Sequence, residues 1–334
     1  MAEKRVDTTR LQRFARAYTE SAVFFAALDL QLFTHVARGK DNEAQLAAAM
    51  DITPLNTNRL VTACLAMGLL EWSGGKLRNA PDAQRFLVQG EPGYSGPWMN
   101  FTRPTVPDWF NLTAQLRSKE PPATLGKYSD LTVESARAYH AATYSIGMGA
   151  GRRFAKTVDL SRRKKLLDLG GGSGAYSINA VQTYPNLKAV VLDLPPVVVV
   201  TREYLAANGV ADRVSTLAGD FITADFPRDV DAVVMASNLP LYDEEVIQRV
   251  VQKAHDALLP GGEMHLVGEM VYDDRSGPLD AAMWGMNEAL SGSGGKAHTI
   301  AQCRGYFERA GFTGVSDEVF VPAVLHRVSG RKPG

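Results

Sequence analysis

Cysteine is scarce: Cys64 and Cys303 are the only two in 334 residues, so neither a disulfide framework nor a paired-cysteine metal motif can be built. No apolar run approaches the roughly 20 residues of a membrane-spanning helix. The opening MAEKRVDTTR lacks the apolar stretch of a secretory leader, which points to a cytoplasmic chain. Charge of one sign is missing too. The 36 basic and 36 acidic residues cancel, leaving no electrostatic footprint for nucleic acid and no long single-sign block. Internal repeats and low-complexity stretches do not stand out. What remains is a chain of 45% apolar residues, long enough for two domains with their own cores, whose expected partners are small molecules rather than a membrane or a nucleic acid.

Against that background, Leu166 to Ala175, LLDLGGGSGA, is the informative stretch. LLDL reads as a strand, GGGSG as its turn, and Ala175 to Tyr184 as the following helix. The spacing Asp168-x-Gly170-x-Gly172-x-Gly174 puts a carboxylate at the strand's C-terminal end, where open α/β sheets bind ligands. Gly170-x-Gly172-x-x-Ala175 also satisfies the dinucleotide fingerprint, whose helix N-terminus holds a pyrophosphate. Asp168 argues against that ligand, because an unpaired carboxylate repels two phosphate charges, whereas beside a cation it is favourable. Two more strand-like runs end on acids. KAVVLDLP reaches Asp193, nineteen residues beyond Gly174, where a carboxylate can accept both ribose hydroxyls, and RVSTLAGDFI ends at Asp220-Phe221.

With these residues the chain resembles the class I S-adenosylmethionine-dependent methyltransferases. The resemblance implies S-adenosylmethionine as cofactor and S-adenosylhomocysteine as product. Asp168 would face the positive methionine portion, and Gly170, Gly172 and Gly174 would admit it. Asp193 with Leu194 would hold the ribose, and Asp220 with Phe221 the adenine. Ser237, ending the run DVDAVVMAS, joins this set, as does Tyr144, because in the family the helix before the glycine motif caps the methionine end.

Residues up to about 90 read as short helices followed by EWSGGKLRNA, a strand, turn and strand, which together make a winged-helix pattern. Its candidate recognition helix LNTNRLVTACLAMG carries one Arg, too little charge to neutralise several phosphates. The apolar excess suits burial against another chain, and the segment resembles the dimerisation domain of plant and bacterial small-molecule O-methyltransferases, which implies a homodimer. The expected organisation is a winged-helix dimerisation domain over 1–92, an aromatic-rich linker with pocket-capping helices over 93–155, and a cofactor-binding catalytic domain over 156–334. The expected fold class is α/β: a Rossmann-like doubly wound sheet with a terminal antiparallel strand pair, plus the mostly α amino-terminal domain. Candidates to line an acceptor pocket are Trp98 and Phe101 in the linker, Tyr139 and His140 on the helix VESARAYHAATYSIGMG, and Trp284 and Glu288 in MWGMNEAL. Each also reads as plain packing or, for Glu288, as an exposed helical Glu.

The chemistry departs from the resembling family, whose members carry a His-Asp-Trp-like motif with the histidine as general base. Aligned through Asp243-Glu244-Glu245, with Tyr242 in the Trp place, this chain has Pro240 where that histidine belongs, and proline cannot accept a proton. The family glutamate that orients the base matches Glu269 in VGEMV. A second one falls at Ala297, followed by His298. Several routes stay open: positioning alone, worth roughly 7–11 kcal/mol; His298 as base from the opposite wall; or a metal held by His140, Glu269 and His298, which no close His or Cys spacing supports, so no metal is expected. The leading reading is O-methyl transfer to a small aromatic, polyketide-like or enolic metabolite. The alternatives are C-methylation of an activated carbon, a cofactor-retaining cyclase, hydroxylase or decarboxylase, and a winged-helix DNA regulator.

Overall fold

The computed structural model describes residues 6–122, 128 and 130–334, and the chain divides into two compact units, Met1–Thr102 and Arg103–Gly334. In the first, the helices Thr9–Asp29, Leu32–Ala37, Glu43–Met50 and Pro54–Ala66 precede a hairpin of β1 (Leu70–Ser73) and β2 (Lys76–Asn79). Helix starts are set locally. Asn42 Oδ1 accepts from the Gln45 amide, and Thr53 Oγ1 from the Asn56 amide with Pro54 at the first helical position. Leu32, Leu46, Val61, Leu70 and Leu77 close the core of this unit. The unit runs about ten residues past the expected boundary at 92. The Ser95 amide donates to the Phe86 carbonyl, and Met99 packs against the same core.

The second unit holds β3 (Lys165–Leu169), β4 (Lys188–Asp193), β5 (Val214–Ala218), β6 (Val230–Ala236), β7 (Leu258–Gly268), the short pair β8 (Met270–Val271) and β9 (His298–Thr299), then β10 (Thr313–Val321) and β11 (Leu325–Arg331). Its seven-stranded sheet has the order β10-β11-β7-β6-β3-β4-β5, parallel from β7 to β5 and antiparallel on both sides of β11. The central strands are apolar on both faces, as strands covered by helices must be. Leu167, Leu169, Val233 and Met235 point into one core with the helix Glu244–Ala257. Leu166, Val191, Ala232 and Val234 point into the other, with the helices Val133–Thr157 and Ala175–Thr183. From β3 the chain winds outward through β4 to β5, then returns to β6 on the other side. That reversal leaves a crevice beyond the carboxyl ends of β3 and β6, the place where doubly wound sheets take ligands.

Candidate functional site

Asp168 arrives at this crevice on β3 with 1% of its surface exposed. Its Oδ2 accepts from the Ser177 hydroxyl at 2.7 Å, while Oδ1 is sealed from solvent with no hydrogen-bond partner among the described residues. Burial pushes its pKa up to about 6 against the Ser177 hydrogen bonds, and the charge of Asp193 adds to the rise. After Asp168 the backbone turns left-handed at Gly170 (φ 61°) and Gly172 (φ 57°). A Cβ at Gly170 would lie 2.6 Å from Asn238 Nδ2, and one at Gly172 2.5 Å from His140 Cε1. Glycine is required at both positions by the close approach of protein neighbours as well as by φ. Gly174 then starts the helix Ala175–Thr183.

Two more acids follow at or just past the next strand ends, and the first of them faces the same loop. Asp193, ending β4, accepts from the Gly172 amide at 2.8 Å through Oδ2 and from the Leu194 amide at 2.7 Å through Oδ1. Each oxygen keeps a lone pair, enough to receive two vicinal hydroxyls. Burial raises its pKa to about 6 although both backbone donors oppose the rise. Beyond β5, Asp220 Oδ1 caps the turn by accepting from the Ile222 amide. The neighbouring Phe221 is buried edge-on to Tyr242, its Cε1 3.1 Å from where a Cβ on Gly170 would stand. At the end of β6, Ser237 is exposed and left-handed (φ 57°), a conformation a non-glycine residue adopts at a cost. Asn238, which sequence reading passed over as a site residue, donates to the Gly170 and Ala236 carbonyls and so ties β6 to the glycine loop. An Asn after a strand gives no signal of that contact in the sequence.

A second group of side chains collects around Tyr139. Burial holds its hydroxyl protonated, and the charges of Glu269, Asp193 and Glu288 oppose its ionisation further. Tyr139 stands edge-on to His140 and Tyr128. His140 is buried, and loss of hydration depresses its pKa to about 4, so the ring is neutral. Glu288 corrects the reading of an exposed helical Glu: it is 2% exposed, with Oε2 accepting from the Ser291 and Ser293 hydroxyls. Trp284, on the same helix, hydrogen-bonds Asp280. Glu269 is half-buried as a residue, yet its Oε2 is closed off and has no partner among the described residues. Burial first, and the charge of Asp280 second, raise its pKa to about 7.

Two expectations need amendment. His298 is not a free base on the opposite wall: it lies in β9, wholly buried, with Nδ1 2.8 Å from the Tyr306 hydroxyl and Nε2 2.9 Å from the Tyr242 carbonyl. The carbonyl requires a proton on Nε2, which makes Nδ1 the acceptor for Tyr306. Both nitrogens are spent, and the ring has no lone pair left for a substrate proton. Tyr144 turns to a different helix. Its ring stacks on Tyr204 at 4.4 Å and its hydroxyl accepts from Asn208 Nδ2, both at the far end of the helix Pro195–Ala207. It lies about 6 Å along the helix from His140, whose ring is the one that abuts Gly172. Within the first unit Trp98 and Phe101 stack on each other at 5.2 Å. Pro240 sits buried in the 3-10 turn Leu239–Leu241, and among the described residues no three His, Cys, Asp or Glu side chains converge as a metal would need.

A switch-point crevice with a buried, half-satisfied acid ahead of a glycine loop and an acid with free lone pairs on the next strand suits a nucleoside cofactor carrying positive charge. Comparison with known proteins makes the class specific. The profile of the O-methyltransferase domain matches residues 129–313 and that of the O-methyltransferase dimerisation domain residues 12–89. A 3-hydroxy-5-methyl-1-naphthoate 3-O-methyltransferase of Streptomyces sahachiroi is 32% identical over 91% of this chain and 89% of its own length. The tetracenomycin polyketide synthesis 8-O-methyltransferase of Streptomyces glaucescens is 30% identical over 95% of this chain and 94% of its own. Human N-acetylserotonin methyltransferase, solved with S-adenosylmethionine, shares the fold at a TM-score of 0.81 and 23% identity, with both chains covered completely. The chain belongs to the S-adenosylmethionine-dependent O-methyltransferase family and is a methyltransferase. Among the described residues no helix is long and apolar enough to cross a membrane.

Proposed function

We propose that this protein transfers a methyl group to a hydroxyl oxygen of a small aromatic, polyketide-like metabolite and works in the cytoplasm as a homodimer. The observation that carries the reading is the unsatisfied Oδ1 of Asp168. A buried carboxylate oxygen without a donor costs about 1–3 kcal/mol or more, and a cationic ligand offsets that cost where a pyrophosphate would add to it. When bound, S-adenosylmethionine supplies an electrophilic methyl group on a positively charged sulfur. Asp168 takes the positive methionine end, Asp193 receives the ribose diol with Leu194 beside it, and Asp220 and Phe221 hold the adenine. Gly170, Gly172 and Gly174 shape the loop between them, and Ser237 flanks it. Tyr139, His140, Trp284 and Glu288 orient the acceptor and exclude water. The names of the two Streptomyces relatives support an aryl hydroxyl as the acceptor. Leu11, Phe14 and Tyr18, exposed in one stripe along the helix Thr9–Asp29, support a second chain covering that face.

A second reading, methylation at an activated ring carbon, is favoured by Pro240, since carbon attack dispenses with a base at that place. Incubation with methyl-labelled S-adenosylmethionine and a set of hydroxynaphthalenes separates the two. The label appears in an aryl methyl ether under the first reading and on a ring carbon under the second. Product formed without label overturns both.

A further inference from the structure

The family resemblance assigns Glu269 to orienting a histidine, and at Pro240 there is none to orient. What the structure offers instead is the carboxyl group itself. Glu269 directly follows Gly268 at the C-terminal end of β7 and is succeeded by β8, so its backbone is fixed on the sheet edge that carries Asp168 and Asp193. Its Oε2 is sealed from solvent and has no hydrogen-bond partner among the described residues. Its charge is felt by Tyr139 on the helix Val133–Thr157 and by Tyr176 on the helix Ala175–Thr183. Asp280, from the helix Leu279–Ser291, is the charged group that faces it. The carboxyl group thus stands at the same end of the parallel sheet as Asp168 and Asp193.

Resting on the oxygen-acceptor reading above, we propose that Glu269 is the general base of the transfer, its carboxylate taking the proton of the acceptor hydroxyl. The O–H bond breaks toward the Glu269 carboxylate and the new O–CH3 bond forms. The S–CH3 bond breaks with its electron pair left on sulfur, so a cationic sulfonium and a carboxylate become a neutral thioether and a neutral carboxylic acid. Glu269 then returns its proton to solvent. The rival bases are weaker on physical grounds. His298 has both nitrogens engaged. His140, depressed to about 4, is roughly a thousandfold weaker a base than a carboxylate raised to about 7. A base poised near neutrality combines a large ionised fraction with a useful driving force for proton transfer.

The test uses the full chain with 2-naphthol and the more acidic 1-nitro-2-naphthol as acceptors. In the wild type, kcat/KM for 2-naphthol rises with pH through an inflection near 7, because only ionised Glu269 accepts a proton. E269Q removes the inflection and lowers kcat/KM for 2-naphthol by on the order of a hundredfold to ten-thousandfold. The deficit shrinks for the nitronaphthol, which ionises unaided. A readout independent of turnover is difference infrared spectroscopy: a protonated-carboxyl carbonyl band titrates near neutrality in the wild type and is absent from E269Q. Should E269Q fold poorly, the wild-type profile and E269D, which keeps a carboxylate and its inflection, carry the same test. A wild-type profile without the inflection, or an E269Q deficit equal for both acceptors, overturns the base while leaving the oxygen reading intact. Failure of the wild type to methylate either naphthol oxygen sinks both.

Discussion

The two sides of the crevice are built on opposite plans. On the cofactor side, Asp193 and Asp220 are strand-end residues fixed by amides one or two positions along the chain, or by the neighbouring glycine loop. On the acceptor side, Glu269, Glu288, Tyr139 and His298 come from four separated elements, and His298 is held across the chain by the Tyr242 carbonyl. The first plan keeps its geometry wherever the strand and turn form. The second permits a role to pass from one side chain to another, and the proposed use of the Glu269 carboxylate in place of a histidine would be a change of that kind.

Variants on the two sides should therefore fail differently. The largest effect on cofactor affinity is expected for Asp193→Ala, which removes the ribose acceptor and releases two loop amides; calorimetry should show binding weakened by on the order of a hundredfold. Acidification comes next. The pKa values of Asp168 and Asp193 are both raised to about 6 by burial, and a cationic ligand at Asp168 favours its ionised form. Binding is then coupled to proton release, and affinity should fall up to about tenfold per pH unit per coupled carboxyl below 6. The unliganded protein runs the other way. For an acid raised above its ordinary 3.8, the stability contribution is full below 3.8 and lost as pH rises through about 6. Equal cofactor affinity at pH 5 and 7 would contradict the assignment of Asp168.

Smaller effects sharpen the contrast. His298→Ala leaves the Tyr306 hydroxyl and the Tyr242 carbonyl without a partner, so urea unfolding should register a loss of about 1–3 kcal/mol. The kcat/KM inflection near pH 7 should survive in the folded variant; its disappearance would return His298 to the reaction. The smallest change is expected for Tyr144→Phe, which trims a hydroxyl bonded to Asn208 and should leave cofactor affinity within about twofold.

Much of the cofactor side could be read in advance because it rests on short-range rules. A buried parallel strand is a run such as LLDL, its turn needs glycine where φ is positive, and a ligand-binding acid stands at the strand's end. The sequence-derived fold class, with the antiparallel pair β10 and β11 at the edge of the sheet, follows from the same alternation. Tyr144 and His298 escaped that reading for a common reason. Helical spacing places Tyr144 near the face of His140, but only the packed helix Pro195–Ala207 shows that the ring stacks on Tyr204. A histidine after two glycines suggests solvent until β9 is seen pairing with β8 and carrying it into the core.

The sequence by itself determined the order and type of the elements, the acid-flanked glycine turn, the acids that end the following strands, and the absence of a proton acceptor at Pro240. These depend on residue types at fixed separations. Only the tertiary structure decided which polar atoms were left unsatisfied: among the described residues Asp168 Oδ1 and Glu269 Oε2 find no donor, while His298 has two partners. Satisfaction is a property of what surrounds a group in space, set once distant elements have packed, and no local spacing encodes it.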